Sequence, residues 1–231
     1  MFNRLFFWFE NRIDPYPAGE PKTPRNGLFG FIWSNLEGVR GWLVLLALLS
    51  GGIGIGEALL FQFIGKIVDW LGRYTPETLF VEKGLALIGM GVLMVALVVW
   101  TFFTSAIRLQ VLQGVFPMRL RWNFHRLMLG QSLSFYQDEF AGRVSAKVMQ
   151  TALAVRDTVM TIADMVMYVL VYFITSGVIL VALDSWLLLP FVGWLICFSL
   201  VMRFLIPRLG QTAARQADAR SLMTGRVTDA Y

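Results

Sequence analysis

One carboxylate lies inside an apolar run of the sequence. Glu57 stands among glycines and large aliphatic residues, and Gln62 follows five residues later. A charged group inside a membrane span is costly, so it commonly faces a cavity or a polar partner. We therefore consider Glu57 and Gln62 candidate residues of a translocation cavity. The alternative is a structural hydrogen bond, or a position of Glu57 near the outer interface of the membrane.

The remaining reactive side chains do not indicate an enzyme site. The single cysteine, Cys197, lies in an apolar run, and the single histidine, His125, has no second His or Cys near it. Leu49–Ile53 reads LSGGI, which is close to a signature of ATPase domains, but it lies within an apolar run. Gly65 and Lys66 lack both the earlier glycine and the following Ser or Thr of a phosphate-binding loop. We predict no catalytic residue, no metal site and no cofactor bound by this chain.

The composition indicates an integral membrane protein. Hydrophobic residues make up 57% of the 231 residues, charged residues make up 15%, and the mean hydropathy is +0.63. Ordinary soluble domains carry about 25% charged residues. The net charge of +5 does not indicate nucleic-acid binding, because the basic residues form no patch within a nucleic-acid motif. The partner expected from composition is the lipid bilayer.

Four apolar runs are long enough to cross a bilayer, which takes about 20 residues for each helix. They are continuously apolar and do not alternate, so the sequence predicts helices and excludes a closed barrel. The fold class is therefore an all-α membrane protein. The predicted spans are 41–64, 85–107, 163–183 and 186–206.

Lys and Arg set the expected orientation of these spans. Five precede the first span, seven lie between the second and third, and five follow from Arg203 onward. Only Lys66, Arg73 and Lys83 fall on the opposite side. Cytoplasmic loops carry an excess of Lys and Arg, so both ends of the chain are expected in the cytoplasm.

The segment before the first span has two parts. Residues 1–27 are expected to form an N-terminal cytoplasmic segment. Its stretch from Asp14 to Pro24 holds four prolines that prevent a regular helix or strand, which predicts an extended, Pro-rich linker. Residues 28–39 have apolar side chains at helical spacing, which predicts an amphipathic elbow helix on the membrane interface. The alternative is a plain extension of the first span.

The polar gap between the second and third spans predicts two helical arms. The first arm, Arg108–Gly130, keeps a helical apolar pattern, with a kink expected at Pro117. The second arm is Arg143–Ile162. Twenty or more helical residues reach about 30 Å or more beyond the bilayer, since each residue adds about 1.5 Å. Arms of this length indicate contact with something in the cytoplasm.

A short tip helix is expected between the arms. Ser134 and Gln137 fit a capping box at its start, and Gly142 fits a helix stop, which gives a helix over 135–141. A helix of two turns is unstable alone in water, so it needs a partner surface. Tyr136 and Phe140 would share its apolar face; the alternative is a solvated cap. The candidate contact residues are Phe135, Tyr136, Gln137, Asp138, Glu139 and Phe140.

Over 28–231 these features resemble the transmembrane domain of type I ABC exporters, of the bacterial lipid and multidrug group. The order of elbow helix, long second-span extension and short second external turn is similar, and FENRIDPYP resembles proteobacterial inner-membrane members. The sequence departs from the family at Arg143, Lys147 and Gln150–Thr151, where an acidic residue, Arg and Asn–Asp are common. The residues that match the first intracellular loop are Ser134, Phe135, Tyr136, Asp138, Gly142, Val144, Lys147, Ala154, Val155, Arg156 and Asp157.

The resemblance implies six spans followed by a nucleotide-binding domain, of which this chain holds the first four spans. It implies that 135–141 is a coupling helix that contacts the ATPase domain, which binds ATP and Mg²⁺. It further implies a second transmembrane half, as in a homodimer, in the bacterial inner membrane, and export of lipid-like or amphipathic drug-like substrates. The alternative is a complete four-span interaction or assembly protein that docks a cytoplasmic partner. A small channel is a third hypothesis, with no ring-forming charge pattern to support it.

Overall fold

The computed structural model describes residues 7–19, 27–138 and 141–229, and within these ranges every regular element is a helix. Two π-helical segments interrupt the long helices: the first π segment, Ile107–Gln113, and the second π segment, Thr161–Val166. A 3₁₀ turn covers Ser185–Leu187. From residue 27 onward the α-helices are α1 Leu28–Asn35, α2 Arg40–Leu71, α3 Pro76–Ala106, α4 Val115–Leu129, α5 Leu133–Asp138, α6 Ala141–Met160, α7 Met167–Leu183 and α8 Leu188–Asp229.

Four helical stretches are long and apolar enough to cross a membrane, which confirms the four predicted spans. They are Arg40–Leu71, Glu77–Leu129, Val144–Leu183 and Ser185–Gln216. Much of their apolar surface is exposed, for example at Val81 and Leu85 in α3. Exposed apolar surface on this scale requires lipid or further helices around it, because soluble proteins rarely expose large apolar patches.

The elbow helix is present but shorter than predicted, since α1 ends at Asn35. The chain then turns at Gly38, whose φ of 81° favours glycine, and enters α2. A Cβ at Gly38 would also lie 2.7 Å from Nη2 of Arg119, so the end of this side chain would have to shift. Leu28 and Phe29, in the first turn of α1, are exposed.

A buried apolar cluster joins α2, the two π segments, α4 and α6. Its members with no exposed surface come from four of these elements. The cluster therefore fixes the polar helices α4 and α6 against the N-terminal part of α2. Deleting one such buried side chain typically costs about 2–5 kcal/mol. The fully buried residues of the cluster are Val39, Leu46, Val111, Leu112, Phe116, Leu120 and Ala152.

The N-terminal stretch 7–19 packs on α4. The stretch from Asp14 was predicted to be an extended linker, and 14–19 is indeed non-helical, but the chain is held to the fold. Phe9 and Ile13 are buried in the apolar cluster. Side chains of α4 donate to backbone carbonyls of the stretch: Arg119 to Asp14 at 2.8 Å, Arg126 to Pro17 at 2.9 Å and Trp122 to Pro17 at 3.3 Å.

The helix irregularity near Pro117 is the first π segment. Pro117 lies in the first turn of α4, and its missing N–H group cannot bond to the carbonyl of Gln113, the last residue of the π segment. The irregularity therefore lies in the turn before Pro117. It is a widened turn of helix over Ile107–Gln113.

Residues 176–231 form a second compact unit. Its turn is held by Asp184, whose side chain accepts a hydrogen bond from the backbone N–H of Trp186 at 2.9 Å. From Leu188 a single helix runs 42 residues to Asp229, through Pro207. At about 1.5 Å per residue it is about 63 Å long, which exceeds the hydrocarbon thickness of a bilayer.

Candidate functional site

The tip helix α5 begins earlier than predicted. Ser132 caps it, since its Oγ accepts a hydrogen bond from the backbone N–H of Phe135 at 3.4 Å. Ser134, the predicted cap, lies inside the first turn with its Oγ 2.9 Å from that of Ser132. Both serines in this segment suit a cap by type, and the earlier one occupies the position. Gly142, the predicted stop, lies within the first turn of α6.

The described contact residues of α5 have different surroundings. The hydroxyl of Tyr136 donates to the backbone carbonyl of Met128 at 2.6 Å, which ties α5 to the end of α4. The ring of Phe135 meets that of Tyr136 edge to face at 5.3 Å and turns toward the space between the arms. Gln137 is exposed. Asp138 ends α5, and the predicted contacts Glu139 and Phe140 lie outside the described residues.

A pocket of about 390 Å³ lies behind the tip; it is open to the surface and lined by residues of α1, α4, α5 and α6. Its wall is largely apolar, and Phe31 and Phe124 stack within it at 5.9 Å. The tip therefore rests on an elbow and two arms that are in mutual contact. The lining residues are Phe31, Phe124, Leu127, Met128, Gln131, Phe135, Val144, Lys147, Val148 and Thr151.

Two leucines at the tip expose apolar surface that the sequence reasoning missed. Leu129 is 69% exposed at the end of α4, and Leu133 is 75% exposed at the start of α5. Leu133 lies four residues before Gln137, so the two share a helix face. Both leucines are visible in the sequence, but a tip helix predicted to begin at residue 135 leaves Leu133 outside it.

A polar seam runs between α2 and α7. The carboxylate of Glu57 accepts a hydrogen bond from the hydroxyl of Tyr168 at 2.5 Å, and Glu57 is half-buried. Tyr168 stacks on Tyr172 at 6.0 Å. Gln62 is also half-buried, but five residues of helix place it about 140° around α2 from Glu57. The structure thus gives Glu57 a tyrosine partner and does not bring Gln62 to the same face.

A second carboxylate, that of Asp164, lies in the second π segment. Asp164 accepts a hydrogen bond from Oγ of Ser50 at 2.6 Å. Its other oxygen lies 2.9 Å from Nη1 of Arg108. These three residues come from α2 and the two π segments, more than fifty residues apart in sequence. They form the cluster termed here the Asp164 cluster.

Small residues allow α2 to approach its neighbours closely. The backbone of α7 lies beside Gly54, where a Cβ would be 3.0 Å from the carbonyl oxygen of Tyr168. On another face, a Cβ at Gly52 would be 2.7 Å from the ring of Trp100, and Gly56 faces Leu97. Gly52 and Gly56 therefore let α2 pack closely against α3.

The two sequence stretches that resemble nucleotide-binding motifs lie within a helix. Leu49–Ile53 and Gly65–Lys66 lie within α2, and the carbonyl of Leu49 accepts a hydrogen bond from the indole of Trp100 at 3.0 Å. His125 and Cys197 are exposed. Within the described ranges no three His, Cys, Asp or Glu side chains are grouped as metal ligands would be.

Comparison with known proteins supplies one informative match. The chain is similar to a protein of Haemophilus influenzae (strain ATCC 51907 / DSM 11121 / KW20 / Rd) named "Uncharacterized ABC transporter ATP-binding protein". The two are 70% identical over all 231 residues of the chain, which cover 38% of that protein. No family model matches the chain. No solved structure matches it.

Proposed function

We propose that this chain is the membrane-spanning first part of an ATP-driven ABC exporter. The observation that carries the proposal is its 70% identity, along its whole length, to part of a protein named as an ABC transporter component. The four apolar helices support a role within the membrane. The chain spans well under half of that relative, which leaves length for further spans and an ATPase domain.

The tip helix α5 is the surface that docks the ATPase domain. Leu129 and Leu133 supply the exposed apolar contact, and Gln137 lies beside Leu133. The bond from Tyr136 to Met128 holds α5 against α4, so a force on the tip acts on the arm. Phe135 braces the tip from inside, and Asp138, Glu139 and Phe140 complete the docking segment 135–141 inferred from the sequence.

ATP and Mg²⁺ belong to the ATPase domain and are bound by residues outside this chain. The described residues do not fit a nucleotide site, because the strings that resemble one lie in the interior of α2. ATP binding and hydrolysis in that domain would supply the motion. The chain itself receives that motion at α5 and carries it along α4 and α6 toward the spans.

The exposed apolar faces of α3, α7 and α8 fit the remaining spans of a six-helix domain, a second copy in a homodimer, and lipid. The chain lies in the bacterial inner membrane with its N-terminus in the cytoplasm. It moves lipid-like or amphipathic drug-like substrates outward from the cytoplasm or inner leaflet. Glu57 and Gln62 are the polar candidates for the translocation cavity.

The test is transport by the natural full-length protein in liposomes, with and without Leu133→Gln. The substitution removes exposed apolar surface and leaves a helix-forming side chain, so insertion should be unaffected. Losing a central docking contact should lower ATP-driven export of a fluorescent lipid by about tenfold. Leu71→Gln, at a leucine 64% exposed at the end of α2, is the matched control and should export normally.

Two results would overturn the proposal. Export that is unchanged in Leu133→Gln would remove the docking role of α5. A natural protein that neither binds nor hydrolyses ATP would remove the exporter assignment and favour a four-span assembly protein.

A further inference from the structure

The two π segments lie beside each other against α2. Both pack against α2, and each separates an apolar span from a polar helix: α3 from α4, and α7 from α6. A π turn holds one extra residue and weakens the regular i→i−4 hydrogen bonding, so it is a natural place for a helix to bend. Two such turns lie side by side, so α4, α5 and α6 could tilt together at this point relative to the spans.

The Asp164 cluster links the two π segments to each other and to α2. Arg108 is the second residue of the first π segment, and Asp164 is the fourth residue of the second. Their ion pair of 2.9 Å joins one π segment to the other. Ser50, which is 1% exposed, adds a bond of 2.6 Å from α2. Both carboxylate oxygens of Asp164 are therefore engaged, one by each neighbouring element.

The exposure of the pair suits a contact that opens and closes. The side chain of Arg108 is 54% exposed, and that of Asp164 is 21% exposed. Separating a fully buried pair leaves an unpaired charge in an apolar setting, which is strongly unfavourable. Here the guanidinium can reach solvent or lipid headgroups when it leaves Asp164, while Ser50 still satisfies one carboxylate oxygen.

We propose that the Asp164 cluster is a latch that holds the two π segments in register. With the latch closed, α4 and α6 continue the lines of their spans and are held to α2. With the latch open, the π segments yield, and the arms tilt with the tip as one body. The link to transport rests on the proposed function, because it takes α5 as the point where force enters.

The first test is amide hydrogen exchange in the natural full-length protein, in lipid nanodiscs, with Asp164→Asn. Asparagine keeps the size of the side chain and an acceptor for Ser50, and it removes the charge that holds Arg108. Exchange within 107–113 and 161–166 should become about tenfold faster, since hydrogen bonds to charged groups are the stronger ones. Exchange in α2 and α8 should stay unchanged.

Asp157→Asn is the matched control. Asp157 also pairs with an arginine, Arg156, at 2.7 Å, but this pair lies on α6 outside both π segments. It should leave exchange in the π segments unchanged. Faster exchange that is spread over the whole protein, or equal effects of the two variants, would overturn the latch.

The exchanged pair Arg108→Asp with Asp164→Arg supplies a second check. A serine hydroxyl can accept as well as donate, so Ser50 remains a suitable partner for an arginine at position 164. The double variant should return exchange in the π segments to within about twofold of the original protein, and each single variant should not. No recovery in the double variant would contradict a direct role for the pair.

Transport separates this inference from the proposed function. In a protein that hydrolyses ATP and exports substrate, Asp164→Asn should lower the substrate moved per ATP by about fivefold or more while hydrolysis continues. Faster local exchange with unchanged substrate per ATP would overturn the latch as a transmission device. Absence of ATP-driven export in the original protein would refute the proposed function, and the exchange result would still decide whether the latch exists.

Discussion

At the scale of single residues, both carboxylates on the seam between α2 and α7 have partners. Glu57 takes a hydrogen bond from Tyr168, and Asp164 takes one from Ser50 and an ion pair from Arg108. In hydrocarbon an unpaired polar group is unfavourable, so cross-helix bonds of this kind specify which helices meet. The seam therefore fixes α2 against α7 by chemistry as well as by shape.

The bond between Glu57 and Tyr168 can be measured with a double-mutant cycle. We expect Glu57→Gln and Tyr168→Phe to be coupled by about 1–2 kcal/mol in the free energy of unfolding, because one partner is charged and lies within a span. The measurement is denaturant unfolding of the protein in mixed micelles. The same cycle with Tyr172→Phe is the control, since Tyr172 stacks on Tyr168 and the described contacts give its hydroxyl no bond to Glu57.

Coupling with Tyr168 that equals the coupling with Tyr172 would show that Glu57 senses the general environment of α7. It would then contribute no specific bond. In that case its place in a translocation cavity would be the better explanation for a carboxylate within the span.

At the scale of elements, α2 is the central helix because its glycines bring two neighbours close. Gly54 meets the backbone of α7, and Gly52 and Gly56 meet side chains of α3. Close approach of helix backbones is the main source of packing energy between helices in a membrane. The loss of helix propensity at each glycine, about 1 kcal/mol, is offset where such contact is made.

Gly54→Ala should destabilise the protein by about 1–3 kcal/mol, because the added methyl group would lie 3.0 Å from a backbone oxygen that cannot rotate away. Gly65→Ala, on the same helix, has no atom within 4 Å of the added Cβ. It should be neutral or stabilising by up to about 1 kcal/mol. Unfolding free energies of the two variants that do not differ would show that α2 and α7 are not in the close contact described.

The sequence predicted those elements whose cause is local. The four spans follow from long apolar runs, and the arms follow from helical periodicity in the polar gap. The predicted start of α5 is two residues too late, because Ser132 and Ser134 both suit a cap and the structure uses Ser132. The partners of Asp164 and Glu57 could not be predicted, since they lie more than fifty positions away along the chain.

At the scale of the whole molecule, the chain is defined by surfaces that need other molecules. The described spans expose long apolar faces, whereas α4, α5 and α6 are polar and end in a small apolar tip. Four spans predict that both ends of the chain lie on one side of the membrane. From the distribution of Lys and Arg we expect that side to be the cytoplasm, with the tip facing the same compartment.

This topology predicts a specific labelling pattern. In a Cys197→Ala background, which removes the exposed native thiol, we expect Glu77→Cys to react with a membrane-impermeant maleimide in intact spheroplasts. Ser132→Cys should react only after the membrane is opened, because the tip is predicted to face the cytoplasm. Both positions are exposed, so burial within the chain would not limit either reaction. The reverse pattern would invert the orientation of the spans, and an ATPase domain supplied from the cytoplasm could then not reach the tip.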